Sequence, residues 1–190
     1  MAAVRARLAS GNAHKLDELR AALPGWELEL LGASGFPEET GDTYEENARG
    51  KAVFGRGHAR TGEWVLGEDS GIEVEALGGR PGVRSARYAG SGGGNDRLLQ
   101  ELAGVDDRRA RYVCTIVAVG PEGEEVAARG TLEGEIAHEQ RGSEGFGYDP
   151  IFVPAGEERT VAELGNAWKR SNSHRARAAA ALSQAISAAA

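Results

Sequence analysis

The stretch GEDSGIEVEALGG sets two acids, Glu68 and Asp69, side by side at the end of a short apolar run, directly before Ser70-Gly71. Adjacent carboxylates repel, so a positive charge must stand near them or one of them must titrate abnormally. A second acidic pair, Glu38 and Glu39, falls in a polar loop just before a helix start. Each pair alone has an ordinary explanation: an Asx-type turn at Asp69, and solvated charge or a complement to a helix N-terminus at Glu38 and Glu39. Together, acids in two loops at strand ends can converge on a hard divalent cation through oxygen ligands only. No His/Cys spacing fits zinc.

Three other places carry cations or an aromatic. In SGNAHK (Ser10, Gly11, Asn12, Ala13, His14, Lys15), small residues lie between a strand and a helix. Backbone N–H groups there can face an anion, with Lys15 one turn in. The spacing is not that of a Gly-x-x-x-x-Gly-Lys-Ser/Thr loop, so an ordinary strand-to-helix turn competes with this reading. Lys51 lies along the next helix, where a solvated surface lysine is the ordinary alternative. In EGFGYDP, Phe146 stands between glycines as an exposed aromatic suited to stacking on a base, followed by Gly147, Tyr148 and Asp149. Asp149-Pro150 also suits a plain turn. Lys169, His174 and Arg175 cluster around a helix start, and His174 serves equally well as a cap or a packed histidine. No Ser-His-Asp spacing or activated Cys supports covalent catalysis.

The elements that must position these residues are legible in the hydrophobic pattern. VRARLA alternates as a strand, and Leu16, Leu19 and Leu23 share one face of a helix that Pro24-Gly25 ends. Trp26 to Leu31 alternates again. Thr43 and Glu46 form a capping box that starts a helix near Tyr44, running to about Arg60. EWVLG is a short strand ending in the acidic pair, and IEVEAL continues as strand or short helix. A Gly-rich loop spans 78 to 94, followed by a short helix capped by Asn95. ARYVCTIVAVG and EEVAARGTLEGEIA are long strands joined as a hairpin at PEGE. After a short IFV strand, Thr160 and Glu163 make a second capping box. Ser171 or Ser173 caps a last, Ala-rich helix whose ISAAA tail is expected to fray. Early βα alternation with a central hairpin predicts an α/β fold, a mixed sheet with flanking helices.

The chain has 190 residues, which suits one domain without an internal linker. Its 22 Lys+Arg against 29 Asp+Glu give a net charge of −7, so a basic nucleic-acid footprint is not expected, and a polyanion would have to be held by a few local cations. The lone Cys114 excludes an intrachain disulfide and, inside an apolar run, is expected to be a core residue. There is no apolar signal-peptide core and no run of membrane-spanning length, so a cytoplasmic protein without a membrane partner is expected.

Six motifs, in order, resemble one family nearly end to end: LASGNAHKLDELR, EETGDTYEENARGKA, EDSGIEVEALGGRPGVRSARYAG, RARYVCTIV, RGSEGFGYDPIFVP and KRSNSHRARA. The chain resembles the inosine/xanthosine triphosphate pyrophosphatase family, house-cleaning enzymes that act on aberrant purine nucleotides. The resemblance implies Mg²⁺-dependent cleavage of ITP, dITP and XTP to the monophosphate and pyrophosphate. It implies an elongated mixed α/β fold, with two lobes around a central nucleotide-binding cleft, and a homodimer. By motif, Ser10 to Lys15 would bind nucleotide, Asp69 would accept a proton and bind metal, and Ser70 would lie beside it. Glu38 or Glu39 would be the second metal carboxylate. Phe146 to Asp149, Lys169, His174 and Arg175 match base- and phosphate-binding positions, and Lys51 another binding lysine. Three positions depart from the family pattern: Glu68 for a usual Asp, Arg84 for an aromatic, and Asn172 for an apolar residue.

On that reading, Lys15, Lys51, Lys169 and Arg175 balance the leaving pyrophosphate. Arg175, His174 and backbone N–H groups of the 146–149 loop offer donors that suit a 6-oxo purine and mismatch adenine. Two alternatives share parts of the pattern. A Maf-type nucleotide pyrophosphatase would not be expected to carry FGYDP and SHRA together, and a non-catalytic nucleotide-binding regulator would need no acid constellation.

Overall fold

The computed structural model describes residues 3–88 and 93–189. Part of the Gly-rich stretch, residues 89–92, lies outside them. In chain order the elements are β1 (Val4–Leu8), α1 (Ala13–Ala22), β2 (Trp26–Leu30), α2 (Tyr44–Arg56) and β3 (Trp64–Val74). There follow α3 (Gly94–Glu101), β4 (Arg109–Val119), β5 (Glu125–Ile136), β6 (Phe152–Pro154), α4 (Val161–Asn172) and α5 (His174–Ala189). The six strands form one mixed sheet in the order β2-β1-β3-β4-β5-β6. β1 runs parallel to both β2 and β3, and β5 antiparallel to β6. The α/β architecture is the one the βα alternation implies.

The chain divides into two compact units. The first comprises Met1–Asp69, Cys114–Gly130 and Arg175–Ala190, and the second Ser70–Val113 and Thr131–His174. The divisions fall between consecutive residues inside β3, β4 and β5 and at the first residue of α5. In the first unit, Leu16 and Leu19 of α1 and Ala178, Ala179 and Leu182 of α5 pack with Leu8, Leu66, Cys114 and Ile116. Ala48 and Ala52 of α2 pack with Val117 and Val119. Side chains alternate along a strand, so α1 and α5 cover one face of these strands and α2 the other. In the second unit, Ile72, Leu98, Leu102, Tyr112, Leu132, Ile151, Phe152 and Val161 form the core.

Local signals placed most boundaries. Both capping boxes form: Thr43 and Thr160 accept from the backbone of Glu46 and Glu163, whose carboxylates reach back to the cap N–H groups. Four expectations need correction. α2 stops at Arg56, not Arg60, because Gly57 follows and the N–H groups of His58 and Ala59 both turn back to the Gly55 carbonyl. EWVLG and the first half of IEVEAL belong to one eleven-residue strand, so Glu68 and Asp69 sit in mid-strand rather than at its end, and Glu75–Leu77 follows as a short 3-10 helix. The strand continues because both carboxylates find buried partners, described below. α3 starts at Gly94 with Gly93 at its cap, and the Asn95 amide donates instead to Gln140 and to the Gly147 carbonyl. The Ala-rich tail is helical to Ala189. Of the two candidate serines, Ser173 stands at the junction of α4 and α5, its N–H closing α4 on the Lys169 carbonyl.

One glycine sets how closely α2 approaches β3. A Cβ on Gly67 would lie 1.9 Å from the Ala48 carbonyl oxygen and 2.7 Å from the Ala52 nitrogen. Gly67→Ala is therefore expected to destabilise the fold by about 1–3 kcal/mol through overpacking. Gly50, on the same helix but exposed and with open space around it, should respond oppositely: Gly50→Ala gains about 0.5–1 kcal/mol of helix stability. Urea unfolding of the two variants checks both signs; matching midpoints would show that α2 does not rest on Gly67.

Candidate active site

β3 answers the question posed by its adjacent acids. Consecutive strand residues point to opposite faces, so Glu68 and Asp69 project away from one another. Glu68 is 1 % exposed. Its Oε2 lies 2.6 Å from Lys15 Nζ. Its Oε1 accepts from Arg175 Nε and Nη2 at 3.1 and 2.9 Å and from Cys114 Sγ at 3.3 Å. Arg175 spends its third nitrogen on Glu18. Burial alone would raise the Glu68 pKa, but the charges of Arg175 and Lys15 outweigh it and hold the carboxyl well below the usual range. Burial likewise opposes the charged forms of Arg175 and Lys15, and the carboxylates of Glu68 and, for Arg175, Glu18 reverse that effect and raise both. Cys114 is buried as expected, and desolvation followed by the neighbouring Glu68 charge pushes its thiol up.

On the other face Asp69 is 3 % exposed. Its Oδ2 accepts from Asn47 Nδ2 at 3.0 Å, and Lys51 Nζ lies 3.6 Å from its Oδ1. Lys51 also donates to the Glu68 carbonyl at 2.9 Å and pairs with Glu39. Asn47 and Lys51 are four apart on α2, hence on one face. Desolvation raises the Asp69 pKa; Lys51 and Asn47 oppose it, and the charges of Glu39 and Glu68 add to it. Of the second acidic pair, Glu39 is half-buried against Lys51 and Glu38 is exposed.

At the start of α1, Asn12 is the cap. Its side chain accepts from the N–H groups of His14 and Lys15 at 2.9 and 3.3 Å, and its own N–H donates to Ser10 Oγ at 3.1 Å. Gly11, Ala13 and His14 are exposed, and Ser10 and Lys15 half-buried. This cap fixes the turn from which Lys15 reaches Glu68.

The second unit gathers a different set. Asp149, 1 % exposed, accepts at Oδ2 from the Phe146 N–H (2.8 Å) and Lys169 Nζ (2.5 Å), and at Oδ1 from Tyr112 Oη (3.1 Å). The Lys169 ammonium lies 4.0 Å from the centre of the half-buried Phe146 ring, a cation–π contact. A Cβ on Gly145 would come within 2.2 Å of Asp149 Oδ2, and Gly145 has φ +80°, so this turn requires glycine there. Gly147 is exposed. Tyr148 is buried, its hydroxyl donating to the Ser85 carbonyl at 2.8 Å, and burial pushes its pKa up to about 12. Ser70, the first residue of this unit, is half-buried. His174 is buried with its ring parallel to Tyr112, centres 4.6 Å apart.

The structure thus brings Lys15, Lys51, Glu39, Asp69 and Arg175 together in one unit and Phe146, Asp149, Lys169 and His174 together in the other. Glu38 and Tyr148 stand apart from these clusters. Arg175 is the residue expected to donate to the base. It is 1 % exposed with all three guanidinium nitrogens on Glu68 and Glu18. Consecutive helical residues point about 100° apart, which is how neighbours His174 and Arg175 come to serve different clusters. Sequence reasoning missed Asn47 and Glu18, although each had a signal: Asn47 is four residues before Lys51, and Glu18 three after Lys15, each pair on one helix face. Among the described residues, no group of three or more His, Cys, Asp or Glu is placed to hold a metal ion by itself.

The model of the Ham1 family matches residues 6–185. The dITP/XTP pyrophosphatase of Deinococcus deserti is 46 % identical over 94 % of this chain and 87 % of its own. That of Symbiobacterium thermophilum is 49 % identical over 95 % of this chain and 93 % of its own. Among solved structures, the Staphylococcus aureus Ham1 protein superimposes with a TM-score of 0.85 at 36 % identity, covering 98 % of this chain and 100 % of its own. A nucleoside-triphosphatase / dITP/XTP pyrophosphatase from Mycobacterium abscessus gives 0.74 at 42 % identity, covering 94 % and 98 %.

The Glu68 cluster makes a prediction about stability. Glu68→Gln leaves two buried cations short of a counter-charge and should cost about 3–5 kcal/mol at pH 7. A carboxyl whose folded pKa lies below its ordinary value of 4.5 contributes stability that is fully present above that value and lost as pH falls through the folded one. The gap between wild type and Glu68→Gln should therefore shrink in acid. Chemical denaturation from pH 7 down to pH 3 checks this; a gap that stays constant over the range would show that Glu68 is not the group being titrated.

Proposed function

As this chain belongs to the Ham1 family, we propose that it hydrolyses ITP, dITP and XTP to the nucleoside monophosphate and pyrophosphate, removing aberrant purine nucleotides. The observation that carries the reading is Asp69: a buried carboxylate of raised pKa, held by Asn47 and flanked by Lys51 and Glu39. Such a carboxylate suits a general base, because a raised pKa makes it a better proton acceptor from water.

The donor set also suits a hard divalent cation. Asp69 and Glu39 offer oxygen only, and a positive charge, the Lys51 ammonium, already stands against both. Mg²⁺ is characteristically held by one or two protein carboxylates together with phosphate oxygens and water, so Asp69 and Glu39 would hold it, with Glu39 favoured over Glu38 by its place beside Lys51. When bound, Mg²⁺ would neutralise phosphate oxygens and lower the pKa of a bound water.

The remaining roles follow from charge and shape. Lys15, on the first turn of α1, and Lys51 are the cations for the phosphates, with the Ser10–His14 turn presenting the backbone beside them and Ser70 following Asp69. Arg175 holds Glu68, the carboxylate that also pairs with Lys15, in place. In the second unit, Phe146 supplies an aromatic face for the base, and His174, Lys169 and the amides of Gly147 and Tyr148 supply donors for a 6-oxo group. Adenine would set a donor against those donors. No described helix is long and apolar enough to cross a membrane; the reading is completed by a cytoplasmic homodimer.

Incubation with Mg²⁺ and ITP should release pyrophosphate as the direct product, with kcat/KM well above that for ATP. Asp69→Asn, near-isosteric but a poor base, should lower kcat by roughly 10²–10⁴-fold while the protein stays folded. Orthophosphate as the first product would overturn α–β cleavage, and wild-type turnover by a folded Asp69→Asn would remove Asp69 from its role. Phe146→Ala should weaken ITP and ATP alike, since stacking does not distinguish the two bases; steady-state kinetics on both substrates measure this.

A further inference from the structure

Tyr112 occupies a core position on β4, 6 % exposed, its ring 4.5 Å from that of Phe152. For packing alone a phenylalanine would serve, and a buried hydroxyl costs free energy unless it is hydrogen-bonded. Here the hydroxyl donates to Asp149 Oδ1 at 3.1 Å. That bond fixes the rotation of a carboxylate whose other oxygen carries both the Phe146 N–H and the Lys169 ammonium. The face of the same ring lies against His174, centres 4.6 Å apart and planes within 10°. One side chain on a rigid strand therefore touches two groups that arrive from separate segments, the 145–149 turn and the start of α5. Rotation of the Asp149 carboxylate would move the Phe146 amide and the lysine lying over its ring.

We propose that Tyr112 is a positioning residue for base recognition: its hydroxyl sets Phe146 and Lys169 through Asp149, and its ring sets the plane of His174. This rests on the nucleotide reading above. The hydroxyl and the ring make separable contributions, and two variants divide them. Tyr112→Phe keeps the stack and loses the hydrogen bond, whereas Tyr112→Leu loses both.

The test combines kcat and KM for ITP and ATP, the Kd of inosine monophosphate titrated in EDTA, and the thermal unfolding midpoint. Tyr112→Phe should raise the Kd for the monophosphate and the KM for ITP roughly three- to tenfold, the scale of one lost hydrogen bond. Its kcat should stay within about twofold, because binding is altered and not the reacting atoms. Tyr112→Leu should raise both constants further and narrow the preference for ITP over ATP. Wild-type KM and Kd in Tyr112→Phe overturn the proposal. So does a fall in kcat that tracks a lowered unfolding midpoint while KM and Kd hold, which is the signature of a merely structural tyrosine. A wild type that binds inosine monophosphate but hydrolyses no nucleotide sinks the hydrolase reading alone, and Tyr112 is then judged on Kd. A wild type that does not bind the monophosphate overturns both.

Discussion

The compensation of one buried carboxylate organises the first unit. Glu68 is charged in a place that water scarcely reaches, and an uncompensated charge there would unfold the protein or be neutralised by a proton. Lys15 of α1 and Arg175 of α5 supply the compensation, with Glu18 returning the balance to two cations against two anions. Two helices are thereby tied to the middle of β3. Because a strand alternates its faces, fixing Glu68 on one side also fixes Asp69 on the other, opposite α2. The repulsion expected of neighbouring acids is relieved twice, by geometry and by separate cations.

A common feature joins the two clusters. Lys15 pairs with Glu68, Lys51 with Glu39, and Lys169 with Asp149. Each lysine proposed to meet a nucleotide is held by a carboxylate of the protein. Such pairs hold flexible side chains in one geometry, so a ligand meets cations whose rotamer freedom has already been lost. The same pairs keep a protein of net charge −7 from presenting bare positive charge. A polyphosphate would then be favoured only where its own oxygens, with a divalent cation, compete with those carboxylates. That places selectivity in local geometry rather than in the overall field.

In the second unit Asp149 does what Glu68 does in the first. It is buried, it accepts from three donors, and it turns a glycine-rich loop into a fixed platform. Gly145 permits the turn, and Asp149 holds it closed by accepting from the backbone of Phe146. The Tyr148 hydroxyl on the Ser85 carbonyl ties the loop to the turn near Gly82–Arg84. A loop so held can present an aromatic face with little ordering left to do on binding.

The sequence by itself determined whatever depends on neighbours along the chain. Strand and helix periods, both capping boxes, the hairpin and the burial of Cys114 were readable because a residue's partner lies within a few positions, and the order of the six motifs pointed to the family. Where neighbouring segments compete, local signals misplaced boundaries: Asn95 looked like a cap, yet Gly93, two positions earlier, took that place. Only the tertiary structure decided what the charged residues face. Nothing in the sequence near Arg175 points to its partner Glu68, 107 positions away. Tyr112 looked like one more apolar residue and holds Asp149, 37 positions away. Periodicity says which face of an element a side chain occupies; the identity of whatever packs against that face is set by how the chain returns, and no local pattern encodes it.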